Sequence, residues 1–295
     1  MNDMKILITK HIGFCPGVKR AYTMAMNAFD TTSSAVFLLG ELVHNHQAVR
    51  MLEVKGARLV NAVDQIPEGA TVVTRSHGLE KEMRESLLKK GITIIDTTCP
   101  RVRKVQLLVS DLEKEGFTII ILGDPDHAEI KALVSELERQ PMVFGKDPSD
   151  WDSGLSSLSG INKIAVIEQT TFPRLQFEEF NQWLRQKHLS DHCVIWNTLC
   201  PETENRQNEL LSHLETGTID VVVILGGKHS SNTRGLYLVA RDHAPQTIWV
   251  EDPDEIQKER FQPNQTVLIV SGASTPDQAV KELIEKISST DDDHE

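Results

Sequence analysis

Residues 93–123 read TIIDTTCPRVRKVQLLVSDLEKEGFTIIILG, and this stretch contains the unit from which the chain is built. A short apolar strand, Thr93–Asp96, runs into Cys99-Pro100. A helical pattern follows over Arg101–Glu115, and an unbroken apolar run, Phe117–Leu122, ends at Gly123. Proline suits the first helical position because its missing N–H would have had no partner there. An apolar run that does not alternate marks a parallel strand covered on both faces. Such runs recur at Val221–Leu225 and Thr266–Val270, with helical patterns at Leu79–Lys90 and Asp277–Ile287. Strand and helix alternate throughout, so the fold class is α/β with parallel sheets.

The unit is written three times. Cys15-Pro16, Cys99-Pro100 and Cys200-Pro201 each open a helical stretch. After each helix comes a strand ending in Leu-Gly: Leu39-Gly40, Leu122-Gly123 and Leu225-Gly226. Four residues past each glycine stands a polar side chain, His44, His127 or Ser230. Each unit then has a second strand with a small or polar end: Ser76-His77-Gly78, Gln169-Thr170-Thr171 and Ser271-Gly272-Ala273-Ser274. The first two units close with one more strand, Thr93–Asp96 and Val194–Asn197, leading into the next cysteine. The pattern predicts three α/β modules of roughly four strands each, over 10–98, 99–198 and 199–288, about a pseudo-threefold axis in a trefoil-like arrangement. The third module lacks a closing strand, and the N-terminal strand (residues 4–9, with Lys5–Thr9 reading KILIT) is expected to complete its sheet.

Composition narrows the functional class. The 295 residues suffice for a large core, and four cysteines are too few for a disulfide-stapled secreted scaffold. The N-terminus has no basic segment followed by a long apolar one, and no apolar run approaches the roughly 18 residues needed to cross a bilayer. A soluble, cytoplasmic protein is expected, without a membrane partner. The net charge of −12 argues against nucleic acid as a partner. The acidic tail, 289–295, is expected to be exposed and is given no function.

In parallel α/β sheets, ligands bind outside the carboxyl ends of the strands, where every polar residue named above falls. If the modules face one another, these residues and the three cysteines meet in one central cavity. Each cysteine sits at a helix N-terminus, where the unpaired N–H groups and dipole stabilise a thiolate. Three converging thiolates repel, and a metal centre is the natural counter-charge. Zinc usually takes local C-x-x-C pairs, absent here, and four ligands in structural sites. An iron–sulfur cubane accepts distant thiolates and normally uses four. Three, from Cys15, Cys99 and Cys200, leave one iron open for chemistry. Cys193 is out of phase, at a strand start, and reads as a buried small residue.

Other side chains extend the picture. His44, His77, His127, Ser230, Asn232 and Ser274 offer donors suited to phosphate oxygens beside helix N-termini. Thr170 and Thr171 occupy the remaining equivalent position and can orient a substrate hydroxyl. Glu129, two residues past His127, is either a proton donor or an ordinary first-turn partner of the helix dipole. Lys19, Arg20, Arg101, Arg103, Lys104 and Arg206 crowd helix starts where the dipole disfavours cations. They point to a nearby anion (the cluster or an acidic redox partner) or are solvated surface charge. His11, His46 and His229 fall out of phase.

Taken in order, Gly13-Phe14-Cys15-Pro16-Gly17-Val18, Val43-His44-Asn45, Ser76-His77-Gly78, Asp96-Thr97-Thr98-Cys99-Pro100, His127-Ala128-Glu129, Gln169-Thr170-Thr171, Asn205-Arg206-Gln207, Ser230-Ser231-Asn232 and Ser271-Gly272-Ala273-Ser274 cover nearly the whole chain. This series resembles the LytB/IspH family, the 4-hydroxy-3-methylbut-2-enyl diphosphate reductases that end the non-mevalonate isoprenoid pathway. The resemblance implies a trefoil-like α/β fold around a 4Fe–4S cluster held by Cys15, Cys99 and Cys200. It implies that the substrate hydroxyl binds the open iron. The diphosphate would be gripped by His44, His77, His127, Ser230, Ser231, Asn232 and Ser274. Glu129 matches the family's proton-delivering glutamate, and Thr170 the threonine that positions the hydroxyl. Electrons would come from a ferredoxin or flavodoxin-type donor, and the products would be isopentenyl and dimethylallyl diphosphate.

The chain departs from the family pattern at Arg75, Gln106, Ala128 and Glu202, where a small residue, histidine, proline and alanine are more usual. None of these removes an expected ligand, though they alter the electrostatics near the cavity mouth. Two other readings compete. One is a non-redox hydro-lyase using an open-iron cluster as a Lewis acid. The other is a metal-sensing or phosphate-binding regulator without catalysis.

Overall fold

The computed structural model describes residues 4–145, 147–154, 160–161, 163–189, 192–257 and 261–288. The acidic tail expected at 289–295 lies outside them. The chain divides into two compact units. One gathers residues up to Lys19, Val43–Gly56 and the chain from Pro201 onward; the other gathers Arg20–Leu42 and Ala57–Cys200.

The first unit holds one four-stranded parallel sheet built from β1 (Lys5–Ile8), β10 (Val221–Leu225), β11 (Gln246–Val250) and β12 (Thr266–Ser271). Its order is β1-β12-β10-β11. Leu7 stands opposite Leu268, so the N-terminal strand lies in the sheet formed by the end of the chain, where Lys5–Thr9 was expected. Every residue of β10 is buried, and its side chains alternate between two cores. Val221, Val223 and Leu225 pack with Ile248, Ile269 and Leu283 of α10 (Asp277–Ser288). Val222 and Ile224 pack with Leu210 of α8 (Pro201–Leu214) and with Leu236 and Ala240 of α9 (Ser231–His243). Helices therefore cover both faces, which is why the run is apolar at every position.

The second unit holds two more four-stranded parallel sheets. Strands β2 (Val36–Leu39), β3 (Arg58–Val60), β4 (Thr71–Val73) and β5 (Thr93–Ile95) take the order β3-β2-β4-β5. Strands β6 (Thr118–Leu122), β7 (Met142–Phe144), β8 (Ile164–Glu168) and β9 (Cys193–Trp196) take the order β7-β6-β8-β9. All three sheets thus share one strand order, with β1 standing where β5 and β9 stand in the other two. One face of β6 and β8 packs on Phe144, Trp151, Phe180 and Trp183. The other packs on Val105, Val109 and Leu112 of α4 (Pro100–Lys114) and on Ile130 and Leu133 of α5 (Ala128–Val134).

Each Cys-Pro step starts a helix, with Pro16, Pro100 and Pro201 as the first residues of α1 (Pro16–Thr31), α4 and α8. The helix expected over Leu79–Lys90 begins later, as α3 (Lys81–Lys89), with Glu80 as its cap. Leu79 is spent on the core beside Phe37, Val72 and Leu87, so the chain steps inward before it coils. Strand β9, which closes the second unit of the repeat, is less covered than β6 and β8. Val194, Ile195 and Trp196 are 46%, 41% and 38% exposed, because the strand is the edge of its sheet. Among the described residues no helix is long and apolar enough to cross a membrane.

Ile120 is fully buried at the centre of β6. Ile120→Ala is expected to destabilise the fold by about 2–5 kcal/mol through the cavity it leaves, measured by guanidinium unfolding of the metal-free chain. A change under about 1 kcal/mol would contradict this packing.

Candidate functional site

The three cysteines are held alike. The Cys15 N–H donates to the Ala273 carbonyl at 2.9 Å, that of Cys99 to Ser76 at 2.9 Å, and that of Cys200 to Thr170 at 2.8 Å. Each acceptor follows the third strand of its own repeat, β12, β4 or β8. The carbonyls of Cys15 and Cys99 then accept the Lys19 and Arg103 N–H groups, at 2.8 and 2.9 Å, and start their helices. All three residues are half-buried. The Val18 N–H points at the Cys15 Sγ at 3.4 Å, a contact that favours negative charge on that sulfur.

The turn before Cys15 is clamped from several sides within the first unit. Arg206, only 2% exposed, donates from Nη2 to the Gly13 carbonyl at 2.8 Å and from Nη1 to the Ser271 carbonyl at 2.9 Å. The Gly13 N–H donates to Ser271 Oγ at 2.8 Å, and the Phe14 N–H to Asp277 Oδ1 at 3.2 Å. Gly13 has φ +72°, and a Cβ there would fall 2.0 Å from Asp277 Oδ1, so glycine is required. Upstream, Glu209 accepts the Lys10 and His11 N–H groups and pairs with His11 Nδ1 at 2.7 Å. Burial pushes the Glu209 carboxyl up, but these hydrogen bonds outweigh it and hold the group below the usual range.

The turn before Cys99 is braced by charge. Asp96 accepts the Thr98 N–H at 2.9 Å and the Thr98 hydroxyl, and it pairs with Arg103. Arg20 donates to the Thr98 carbonyl at 3.3 Å. Burial raises the Asp96 pKa, yet the Thr98 hydrogen bonds and the Arg103 and Arg84 charges bring it below the ordinary aspartate value. At the matching point before Cys200, Asn197 Oδ1 accepts the Leu199 N–H at 3.1 Å. The basic residues at the helix starts thus divide. Arg20, Arg103 and Arg206 bind backbone carbonyls or a carboxylate, whereas Lys19, Arg101 and Lys104 are exposed.

Two groups of polar side chains form, one in each unit. In the first, Ser274 Oγ donates to the His44 carbonyl at 3.3 Å, and a Cβ on Gly227 would lie 2.5 Å from that same oxygen. Ser230 accepts the Thr233 N–H and caps α9, whose first residue is Ser231, while its own N–H bonds the Gly227 carbonyl. Asn45 caps α2 (His46–Val54). Asn232 is 5% exposed, and neither its Oδ1 nor its Nδ2 has a protein partner among the described residues. A buried amide in that state is suited to a polar ligand.

In the second unit, the His77 and His127 rings meet edge to face with centroids 5.2 Å apart. His127 Nδ1 accepts the Glu129 N–H at 3.1 Å, so the neutral ring carries its proton on Nε2 and presents a donor. Glu129, 3% exposed, accepts the Thr170 N–H on Oε1 at 2.7 Å and the Thr170 hydroxyl on Oε2 at 2.8 Å. Thr170 therefore joins Glu129, through its N–H and hydroxyl, to the Cys200 amide, through its carbonyl. Gln169 accepts the Asp124 N–H at 3.1 Å and donates to Thr171 Oγ at 3.0 Å, tying the ends of β6 and β8 together. The sequence does not single out Arg206 or Gln169 as supports, because Gly13, Ser271 and Asp124 lie 193, 65 and 45 residues away along the chain. Cys193 packs against the aromatic core, and burial pushes its thiol up to about 11, which leaves it inert.

These features define a class of protein: parallel α/β, with three sheets of one strand order, in which each of three cysteines opens a helix while bonded to a strand-end loop. The family model for LytB protein matches residues 6–288, and the chain belongs to that family. It is 35% identical over 297 residues to the 4-hydroxy-3-methylbut-2-enyl diphosphate reductase of Caldanaerobacter subterraneus subsp. tengcongensis, covering 97% of each chain. It is 38% identical over 280 residues to the reductase of the same name from Anaeromyxobacter sp. (strain Fw109-5), covering 94% of this chain and 95% of that one. Among solved structures, the E-1-hydroxy-2-methyl-but-2-enyl-4-diphosphate reductase from Plasmodium falciparum aligns with a TM-score of 0.88 at 24% identity, over 97% of this chain and 88% of that one. A second, (E)-4-hydroxy-3-methyl-but-2-enyl diphosphate reductase, described as the terminal enzyme of the non-mevalonate pathway, aligns with a TM-score of 0.71 at 31% identity over 98% and 100%.

Because the folded Asp96 pKa is depressed, its stabilisation is present above the unfolded value of about 4 and is lost as pH falls through the folded value. Asp96→Asn should therefore lower the urea midpoint at about pH 7, and the gap to wild type should close at about pH 2. A gap that persists unchanged in acid would assign the effect to shape rather than charge.

Proposed function

We propose that this chain reduces 4-hydroxy-3-methylbut-2-enyl diphosphate to isopentenyl and dimethylallyl diphosphate, the last step of the non-mevalonate pathway. Family membership and the names of the full-length relatives support the substrate. Within the chain itself, the supporting observation is the buried Glu129 carboxyl, bonded twice to Thr170, whose carbonyl takes the Cys200 amide. A buried carboxyl with a hydroxyl partner at its tip is placed to hold a proton for a substrate oxygen.

The cofactor would be a 4Fe–4S cluster on Cys15, Cys99 and Cys200, with one iron lacking a protein ligand. The chemistry of the donor set fits. Three half-buried thiols at helix starts, one already receiving a backbone N–H, are the sulfur ligands that such a cluster binds. When bound, the cluster supplies electrons one at a time and a Lewis-acidic iron.

The chain's own residues do the rest. His44, His77 and His127, with Ser230, Ser231, Asn232 and Ser274, hold the diphosphate by hydrogen bonds. Those from His127 come from Nε2. Thr170 orients the substrate hydroxyl, and Glu129 delivers the proton with which it leaves as water. Overall, two electrons and two protons convert the allylic alcohol into alkene and water. The donor would be a ferredoxin or flavodoxin-type protein in the cytoplasm. The hydro-lyase reading needs no electrons, and the regulatory reading leaves Glu129 without a task.

Anaerobically prepared protein should consume the diphosphate substrate only with a low-potential reductant, such as dithionite with methyl viologen. Turnover without reductant would overturn the reductase in favour of a hydro-lyase. Glu129→Gln should lower kcat by about 10²–10⁴-fold while substrate binding is kept. Near wild-type activity in that variant would remove the proton-donor role.

A further inference from the structure

Gln106 has no place in the site as described, yet it is 3% exposed and lies on α4, the helix that Cys99 opens. It stands seven residues beyond Cys99, two turns along and on the same helix face. Both ends of its amide, Oε1 and Nε2, are sealed from solvent, and neither has a protein partner among the described residues. A buried amide with donor and acceptor both unmatched is rare, and a trapped water or a ligand normally answers it.

Its neighbour on one side is the turn that carries His77. Gly78 has φ +96°, and a Cβ built there would fall 2.8 Å from Gln106 Nε2 and 3.1 Å from Ala132 Cβ of α5. The backbone beside His77 is therefore squeezed between the Gln106 amide and the helix that His127 caps. The Ser76 carbonyl, one residue before His77, receives the Cys99 amide. The His77 and His127 rings are in edge-to-face contact.

We infer that Gln106 is a positioning residue for His77: its amide, bridged by a trapped water, fixes the Ser76–Gly78 turn so that the imidazole meets the substrate diphosphate. The inference rests on the proposed role of His77. A methionine at 106 keeps the length and bulk of the side chain but offers neither donor nor acceptor. A histidine offers one of each.

The test measures KM and kcat with 4-hydroxy-3-methylbut-2-enyl diphosphate and a chemical reductant, on cluster-loaded wild type, Gln106→Met, Gln106→His and His77→Ala. Binding of inorganic pyrophosphate to the same proteins, followed by calorimetry, gives a readout free of turnover. Gln106→Met should raise KM and the pyrophosphate Kd about 5–10-fold, the scale of one lost hydrogen bond between neutral groups. It should leave kcat within about twofold, and Gln106→His should recover most of the loss. If His77→Ala weakens binding but Gln106→Met binds as wild type does, the inference about Gln106 is overturned and the role of His77 stands. If His77→Ala also binds pyrophosphate and substrate normally, the reading beneath both is overturned. A fall in kcat with KM unchanged in Gln106→Met, not rescued by histidine, would contradict the inference by marking a purely packing role.

Discussion

The structure depends on one hydrogen bond made three times, from the cysteine amide that opens one repeat to the carbonyl of the loop that ends the third strand of another. Cys15 to Ala273, Cys99 to Ser76 and Cys200 to Thr170 are the same contact in three sheets of the same strand order. Each bond fixes where a helix begins relative to a strand end. The helix start in turn fixes the direction of the sulfur. Proline immediately after the cysteine adds nothing that competes for the carbonyl, because it has no N–H to place.

The surrounding side chains show how much of the sequence is given to that bond. Arg206 spends a buried guanidinium on two backbone carbonyls, one in the turn before Cys15. Asp96, Arg103 and Arg20 brace the Thr98 turn before Cys99. Taking a charge out of water is costly unless it is fully hydrogen-bonded, so a buried arginine on backbone oxygens is retained for geometry rather than for net stability. The same economy links chemistry to scaffold at Thr170. Its hydroxyl and N–H serve Glu129 while its carbonyl serves Cys200, so moving the threonine would disturb a buried carboxyl and a thiol together.

Much of this is legible in the sequence wherever the physics is local. Val221–Leu225 reads as a covered strand because both of its faces are buried, and the three Cys-Pro steps read as helix starts because proline suits that position. The placement of Lys5–Ile8 follows from counting strands in a repeat. Strands β3 and β7 give no signal, since three residues with partly exposed side chains are too short to establish a period. At the candidate site, the phase of the repeat singles out His44, His127 and Ser230, but not the hydrogen bonds that their atoms make. The proton on Nε2 of His127 follows only from a backbone N–H two residues on. Arg206 looks like a surface cation or an anion's neighbour until its carbonyl partners, 193 residues away at Gly13 and 65 away at Ser271, are in view. Long-range pairing of that kind leaves no local pattern.

The most direct test of the central claim is the inorganic content of anaerobically purified protein, compared across single cysteine-to-serine variants. About four iron and four sulfide per chain in wild type and in Cys193→Ser, with the content lost or halved in Cys15→Ser, Cys99→Ser and Cys200→Ser, is the expected result. Full iron and sulfide in any of those three, or their loss in Cys193→Ser, would contradict the account.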